Sequence, residues 1–201
     1  MELTDVLRRR RMHRSFTDEA VDARVLDSIL RSAVRAPSAG FTQGVDLLVL
    51  TTPEARARFW SLASEESWRA GEHAPGLLAA PVVVVPIADP GAYAARYGEP
   101  DKAGSGLAGR SPEKWPVPYW TVDASFVVMQ LLLAVTDGAL GALFFRLHGD
   151  PGALLEGLGA PRHRAVVGAV AIGHPACSGP GASAARRPRR PLAEVVHRER
   201  W

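Results

Sequence analysis

Between residues 121 and 136 the chain is apolar on nearly every helical face, through Val122, Phe126, Val127, Val128, Met129, Leu131, Leu132, Leu133 and Val135. A helix without a polar stripe has no side to offer to water and is expected to be buried on all sides. Its longest apolar run, around residues 126–135, is too short to cross a bilayer, so no membrane span is expected and the burial belongs inside a protein core. Enclosing such a helix takes layers on more than one side, and 201 residues suffice for one domain, 1–201, that does so.

The remaining periodicities say what those layers are. Residues 80–87 place four consecutive valines between Pro81 and Pro86, which reads as a strand buried on both faces. Further strands are expected at 45–51, 138–145 and 165–173. Helices are expected at 5–11 and at 22–35, where Val25, Leu26, Ile29, Leu30 and Val34 recur at helical spacing. Two more are announced by prolines at their first turns: 54–64, behind Thr52 and Pro53, and 150–158, with Pro151. Strands interleaved with helices give an α/β or α+β sheet covered on both faces. Residues 89–118 are rich in Gly, Pro and charge and read as an excursion or lid, and the tail at 177–191 as extended chain.

Several chemistries are excluded. Cys177 is the only cysteine, so neither an intramolecular disulfide nor a thiolate cluster can form, which suits a reducing, cytoplasmic compartment. The first residues lack the basic-then-apolar pattern of a signal segment. The six histidines show no zinc-protease spacing, so no metal site is expected, and no Gly-x-Ser-x-Gly elbow occurs. The formal charge of +3 conceals an asymmetry. Eleven of the 22 arginines lie in residues 1–14 and 186–201, and the body between them is mildly acidic. Guanidinium forks match phosphate oxygens in pairs, so two basic ends can converge on one phosphate-bearing ligand; solvated surface and non-specific nucleic-acid binding are the other readings of such runs.

Three segments carry candidate chemistry. Arg10-Arg11-Met12-His13-Arg14-Ser15-Phe16 concentrates guanidinium groups at the end of the first helix, with Phe16 as an anchor. Ala36-Pro37-Ser38-Ala39-Gly40-Phe41-Thr42-Gln43 is a loop of small and polar residues that lets a planar ring approach the backbone. Gly138-Ala139-Leu140-Gly141-Ala142-Leu143-Phe144-Phe145-Arg146 opens a strand with two glycines three apart and matches neither a Walker nor a Rossmann fingerprint.

Taken together and in this order, the segments resemble the nitroreductase family of FMN-dependent flavoproteins. The N-terminal arm is similar to that family's Arg-Arg-Ser-x-Arg-x-Phe motif, and the loop to its Ala-Pro-Ser-x-x-Asn-x-Gln-Pro-Trp motif. Residues 120–145 resemble its central helix and Gly-Leu-Gly strand, and residues 187–197 its basic closing segment. The resemblance implies an α+β, three-layer α-β-α sandwich with a mixed, mainly antiparallel sheet and a long buried helix, as an obligate homodimer with extended termini and shared active sites. It implies Arg10, Arg11, Met12, Arg14, Arg187 and Arg189 at the FMN phosphate and ribityl chain, with Pro37, Ser38 and Ala39 beside the ring from the second copy and Gln43 among the cofactor-binding residues. Backbone near Leu143, Phe144, Phe145 and Arg146 would meet flavin N5, with Gly141 keeping the approach open.

The implied activity is hydride transfer by a ping-pong mechanism from NADH or NADPH to a small-molecule acceptor, a nitroaromatic, a quinone or a pathway intermediate. An oxidase or desaturase running in reverse, or a flavin-binding protein without turnover, shares the same site. Four positions depart from the motifs: Met12 stands for Ser, Phe41 for Asn, and Gly44-Val45 for Pro-Trp. Phe41 makes the substrate face more apolar, and Trp68 and Trp115, flanking the variable stretch, are further candidates for the substrate pocket.

Overall fold

The computed structural model describes residues 1–71, 74–176 and 187–201. Its frame is a sheet of five strands, β1 (Val45–Leu50), β2 (Val82–Ala88), β3 (Gly141–Phe145), β4 (Ala165–Val166) and β5 (Ala169–Gly173). The order is β1-β2-β5-β3, with β4 also on β2. Every pairing of these strands is antiparallel. The expected mixed sheet is therefore corrected: among the described residues the parallel contribution is an isolated bridge between Met12 and Ala142.

β2 shows why the valine run makes a central strand. Val83, Val85 and Ile87 pack on one face with Phe59, Trp60, Leu154 and Leu155, while Val82 and Val84 pack on the other with Leu26, Ile29, Val128 and Leu131. Two-residue alternation thus divides one apolar run between two cores. The first face is covered by α3 (Pro53–Ala63) and α8 (Pro151–Gly157), the second by α2 (Ala23–Ala33) and α7 (Tyr119–Asp137). The result is an α-β-α sandwich.

The expected strand at 165–173 is broken into β4 and β5. Val166 opposes Ile87 and Val170 opposes Val84, so β4–β5 carries one residue more than β2 across the same interval, a bulge. Gly168 lies within it at φ +148°, where a Cβ would fall 2.5 Å from the Phe145 carbonyl oxygen.

Two expectations about α7 are corrected. It is 19 residues long, the length and composition of a membrane span, although it packs as a core helix against the sheet. Nor is it buried on all sides: Phe126 is 45% and Met129 41% exposed, on the side away from the sheet. The excursion is also more ordered than its composition suggests. Asp89 caps α6 (Pro90–Tyr97) by accepting from the Gly91 N–H, and Tyr93, Leu107 and Trp115 form a satellite core with Tyr97, Tyr119 and Trp120.

The short helices are α1 (Leu3–Arg9), α4 (Glu66–Arg69), α5 (Ala74–Leu78) and α9 (Leu192–Val195). Residues 187–201 are exposed throughout, including Leu192, Val195, Val196 and Trp201. The expected extended tail before residue 187, with Cys177, lies outside the described residues.

Candidate functional site

α1 ends where Arg10 leaves helical geometry, at ψ 124°. Beyond it the chain runs as an arm against the first residues of β3. The His13 N–H donates to the Ala142 carbonyl at 2.9 Å, the Phe16 N–H to Gly76 at 2.8 Å, and the Thr17 N–H to His174 at 2.9 Å. Phe16 is buried, the anchor its apolar ring predicts. Arg11 donates to the carbonyls of Arg8 (2.6 Å) and Arg10 (3.0 Å), placing a cation on the last carbonyls of α1. The guanidinium groups of Arg10 and Arg14 make no hydrogen bond or ion pair among the described residues. Burial, and secondly the nearby Arg11 charge, hold the His13 imidazole below its ordinary pKa.

Gly141 has a different role from the one expected. A Cβ there would lie 2.8 Å from Pro175 Cγ and 3.0 Å from His13 Cγ. What this glycine admits is the arm itself, docked on the strand.

The direction of the backbone donors along β3 follows from strand geometry. Successive residues turn their N–H and C=O groups to opposite edges. The Ala142 carbonyl meets His13 on the outer edge, so Phe144 also faces outward, with Arg146 on the same parity beyond the strand end. Leu143 and Phe145 face β5, with which they pair. Of the four backbone positions expected near a flavin ring, Phe144 turns its N–H out from the sheet, and Arg146 lies just beyond the end of β3.

The loop at 37–43 is bound from two directions. Asp123, a carboxylate only 2% exposed within α7, accepts from the Ala39 N–H at 2.8 Å and from the Tyr93 hydroxyl at 2.7 Å, both through Oδ2. Burial, reinforced by Asp123, pushes the Tyr93 hydroxyl far above its ordinary pKa. From α6, Arg96 Nε donates to the Gly40 carbonyl at 2.8 Å while its terminal nitrogens grip Asp101 at 2.7 Å. Within the loop the Gln43 N–H donates to Ser38 Oγ at 2.9 Å.

These contacts sustain unusual backbone geometry. Gly40, Phe41 and Gln43 lie at φ +62°, +55° and +54°. The left-handed region costs a non-glycine residue about 1–2 kcal/mol, so Phe41 and Gln43 are held there by their surroundings. Phe41 is 75% exposed, an aromatic ring displayed on strained backbone.

The other expected residues divide. Trp68 in α4 is part-exposed and stacks on Trp60, centroids 5.9 Å apart. Trp115 is corrected: it is buried in the satellite core, donates to the Arg110 carbonyl at 3.2 Å and packs rather than lining an open pocket. Arg187 and Arg189 are exposed, and no hydrogen bond joins them to Arg10, Arg11 or Arg14 among the described residues. Asp123, Tyr93 and Arg96 were not anticipated. A lone carboxylate inside an apolar helix is the signal that marks Asp123, because charged residues are buried only when partnered.

An antiparallel sheet between two helical layers, with a basic arm on one edge strand and a clamped small-residue loop, defines an α+β sandwich with a candidate site at the sheet edge. Residues 7–174 match the model of the Nitroreductase family, and the chain belongs to that family. Among solved structures it is similar to NfrA2 of B. megaterium, at 24% identity and TM-score 0.74 over 100% of this chain and 75% of that one. It is also similar to a nitroreductase family protein of Clostridium difficile, at 19% identity and TM-score 0.72 over 100% of both chains. A third, from Desulfovibrio desulfuricans and in complex with FMN, is 23% identical with TM-score 0.70, over 100% of this chain and 98% of that one. No curated protein matches the sequence.

Proposed function

We propose that the chain is an FMN-dependent oxidoreductase that passes hydride from NADH or NADPH to a small organic acceptor, in a homodimer with shared sites. One observation carries this reading. The arginine arm docks at the start of β3, and the outward N–H of Phe144 follows about 7 Å along the same edge, so a phosphate donor set and a ring-edge donor share one strand. The donor chemistry fits FMN, and the similar Desulfovibrio desulfuricans structure holds that cofactor.

Bound FMN supplies a ring able to accept hydride and give it up again. Arg10, Arg11 and Arg14, joined by Arg187 and Arg189, hold the phosphate and ribityl chain through paired, permanently charged donors. The N–H groups of Phe144 and Arg146 are fixed dipoles for the ring edge, needing no reorganisation during transfer. Pro37, Ser38 and Ala39 of the second copy close one side of the cleft, with Gln43 at its margin. Phe41 presents an apolar face to the acceptor and excludes water. Donor and acceptor would meet the bound ring in turn, which makes the kinetics ping-pong.

The dimer is supported by what a single chain leaves uncovered: Phe126 and Met129 on α7, and Leu192, Val195, Val196 and Trp201 on the C-terminal segment. Large apolar side chains left exposed on one helix face and along a terminal segment are surface that a second copy would cover. The test is anaerobic stopped-flow mixing of the purified protein with NADH and with NADPH, then with nitroaromatic and quinone acceptors. Bleaching of oxidised flavin by a nicotinamide and its recovery with an acceptor are expected. A flavin that neither nicotinamide reduces would leave a carrier, not an enzyme.

A further inference from the structure

The Phe41 loop is held by residues that do not belong to the cofactor-binding motifs. Asp123 Oδ2 receives both the Ala39 N–H and the Tyr93 hydroxyl, and Arg96 Nε binds the Gly40 carbonyl. The Tyr97 ring lies close against Gly40, 3.1 Å from where a Cβ would stand, and the Tyr93 ring lies against Gly44. Three of these residues, Tyr93, Arg96 and Tyr97, come from α6, at the start of the excursion. The excursion therefore grips both ends of the loop that carries Phe41 at φ +55°.

We infer that Tyr93, Arg96 and Asp123 are positioning residues that select the acceptor, by fixing the left-handed loop conformation in which Phe41 is displayed over the acceptor side of the site. This rests on the flavin reading proposed above. The three residues touch neither donor nor acceptor and act through Phe41. Asp123 Oδ2 holds the Ala39 N–H directly and is itself oriented by the Tyr93 hydroxyl, so loss of that hydroxyl frees the carboxylate to swing away from the loop. Burial keeps the Tyr93 hydroxyl protonated, as a donor to that oxygen must be. The excursion is then a brace under the loop, and differences in it between relatives would change acceptor range without altering the phosphate site.

Tyr93→Phe removes a hydroxyl and keeps the ring, so it tests the brace with little risk to folding. In steady-state assays with para-benzoquinone and with nitrofurazone, KM for the acceptor is expected to rise about tenfold. Flavin reduction by the nicotinamide should stay within twofold of the parent chain. In a Phe41→Ala background the same change should add less than twofold, because two residues acting through one contact are not additive. Amide hydrogen exchange at residues 38–43 should accelerate in Tyr93→Phe whether or not flavin is bound. Equal losses in both half-reactions, or full additivity with Phe41→Ala, overturn the positioning role. Unchanged exchange overturns the brace itself. A parent chain that takes up no FMN overturns the flavin reading and acceptor selection with it, while the exchange measurement still decides the brace.

Discussion

Gly141→Ala perturbs the junction between arm and strand. The added methyl group would sit 2.8 Å from Pro175 Cγ and 3.0 Å from His13 Cγ, against an ordinary contact of 3.4–4 Å. Both neighbours are rings on tethered backbone: the His13 N–H is bonded to Ala142 and the Ala176 N–H to Ser15. Relief therefore requires moving the arm by several tenths of an ångström, a forced overpacking of about 1–3 kcal/mol. For a chain of this size each kcal/mol is worth roughly 2–4 °C in Tm, so a loss of about 2–12 °C is expected by differential scanning fluorimetry. Because Arg10, Arg11 and Arg14 ride on the arm, FMN affinity, measured by quenching of flavin fluorescence, should fall about tenfold or more. Wild-type Tm together with wild-type affinity would refute the reasoning, since Gly141 would then not be what lets the arm dock.

Arg10→Ala and Arg189→Ala should each weaken FMN retention about 10- to 100-fold, the 1.5–3 kcal/mol of a charged hydrogen bond, read as flavin per chain after gel filtration; full retention in both would count against the phosphate site. Phe126→Ser removes roughly 90 Å² of apolar contact, about 2 kcal/mol, and counts twice across a two-fold axis, so dimer dissociation should strengthen at least 100-fold by sedimentation velocity. An unchanged dimer would place the interface elsewhere. His13 is held low by burial and by Arg11, so the folded chain disfavours its protonated form and loses stability as pH falls below the ordinary value near 6.5. A phosphate at Arg11 reverses part of that effect: the His13 pKa should rise on FMN binding, and affinity should tighten as pH falls from 8 to 6. An imidazole NMR titration indifferent to FMN would contradict it.

Much of the scaffold was legible because its signals are local. Thr52-Pro53 and Asp150-Pro151 announced α3 and α8, and both caps form, Thr52 Oγ1 accepting from Ala55 and Asp150 from Gly152. The identical signature at Asp89-Pro90 is masked by the surrounding Gly, Pro and charge, which read as irregular chain. The alternation in β2 is written in its valines, but the bulge at Gly168 is not, since register depends on the partner strand. The apolar circumference of α7 marks it as a core helix, but it does not show that Phe126 and Met129 stay exposed on the side away from the sheet. At the site, the arginine arm and the small-residue loop stood out as motifs. Their supports did not: Asp123 meets Ala39 across 84 residues and Arg96 meets Gly40 across 56, pairings without a short-range signature.

The central claim is that this chain closes around FMN only as a pair. The direct measurement is the absorption spectrum and light-scattering mass of the purified protein after incubation with FMN and removal of the excess. An oxidised-flavin spectrum, one FMN per chain and a particle of two chains are expected; a colourless protein, or a yellow one whose particles hold a single chain, would contradict the shared-site reading.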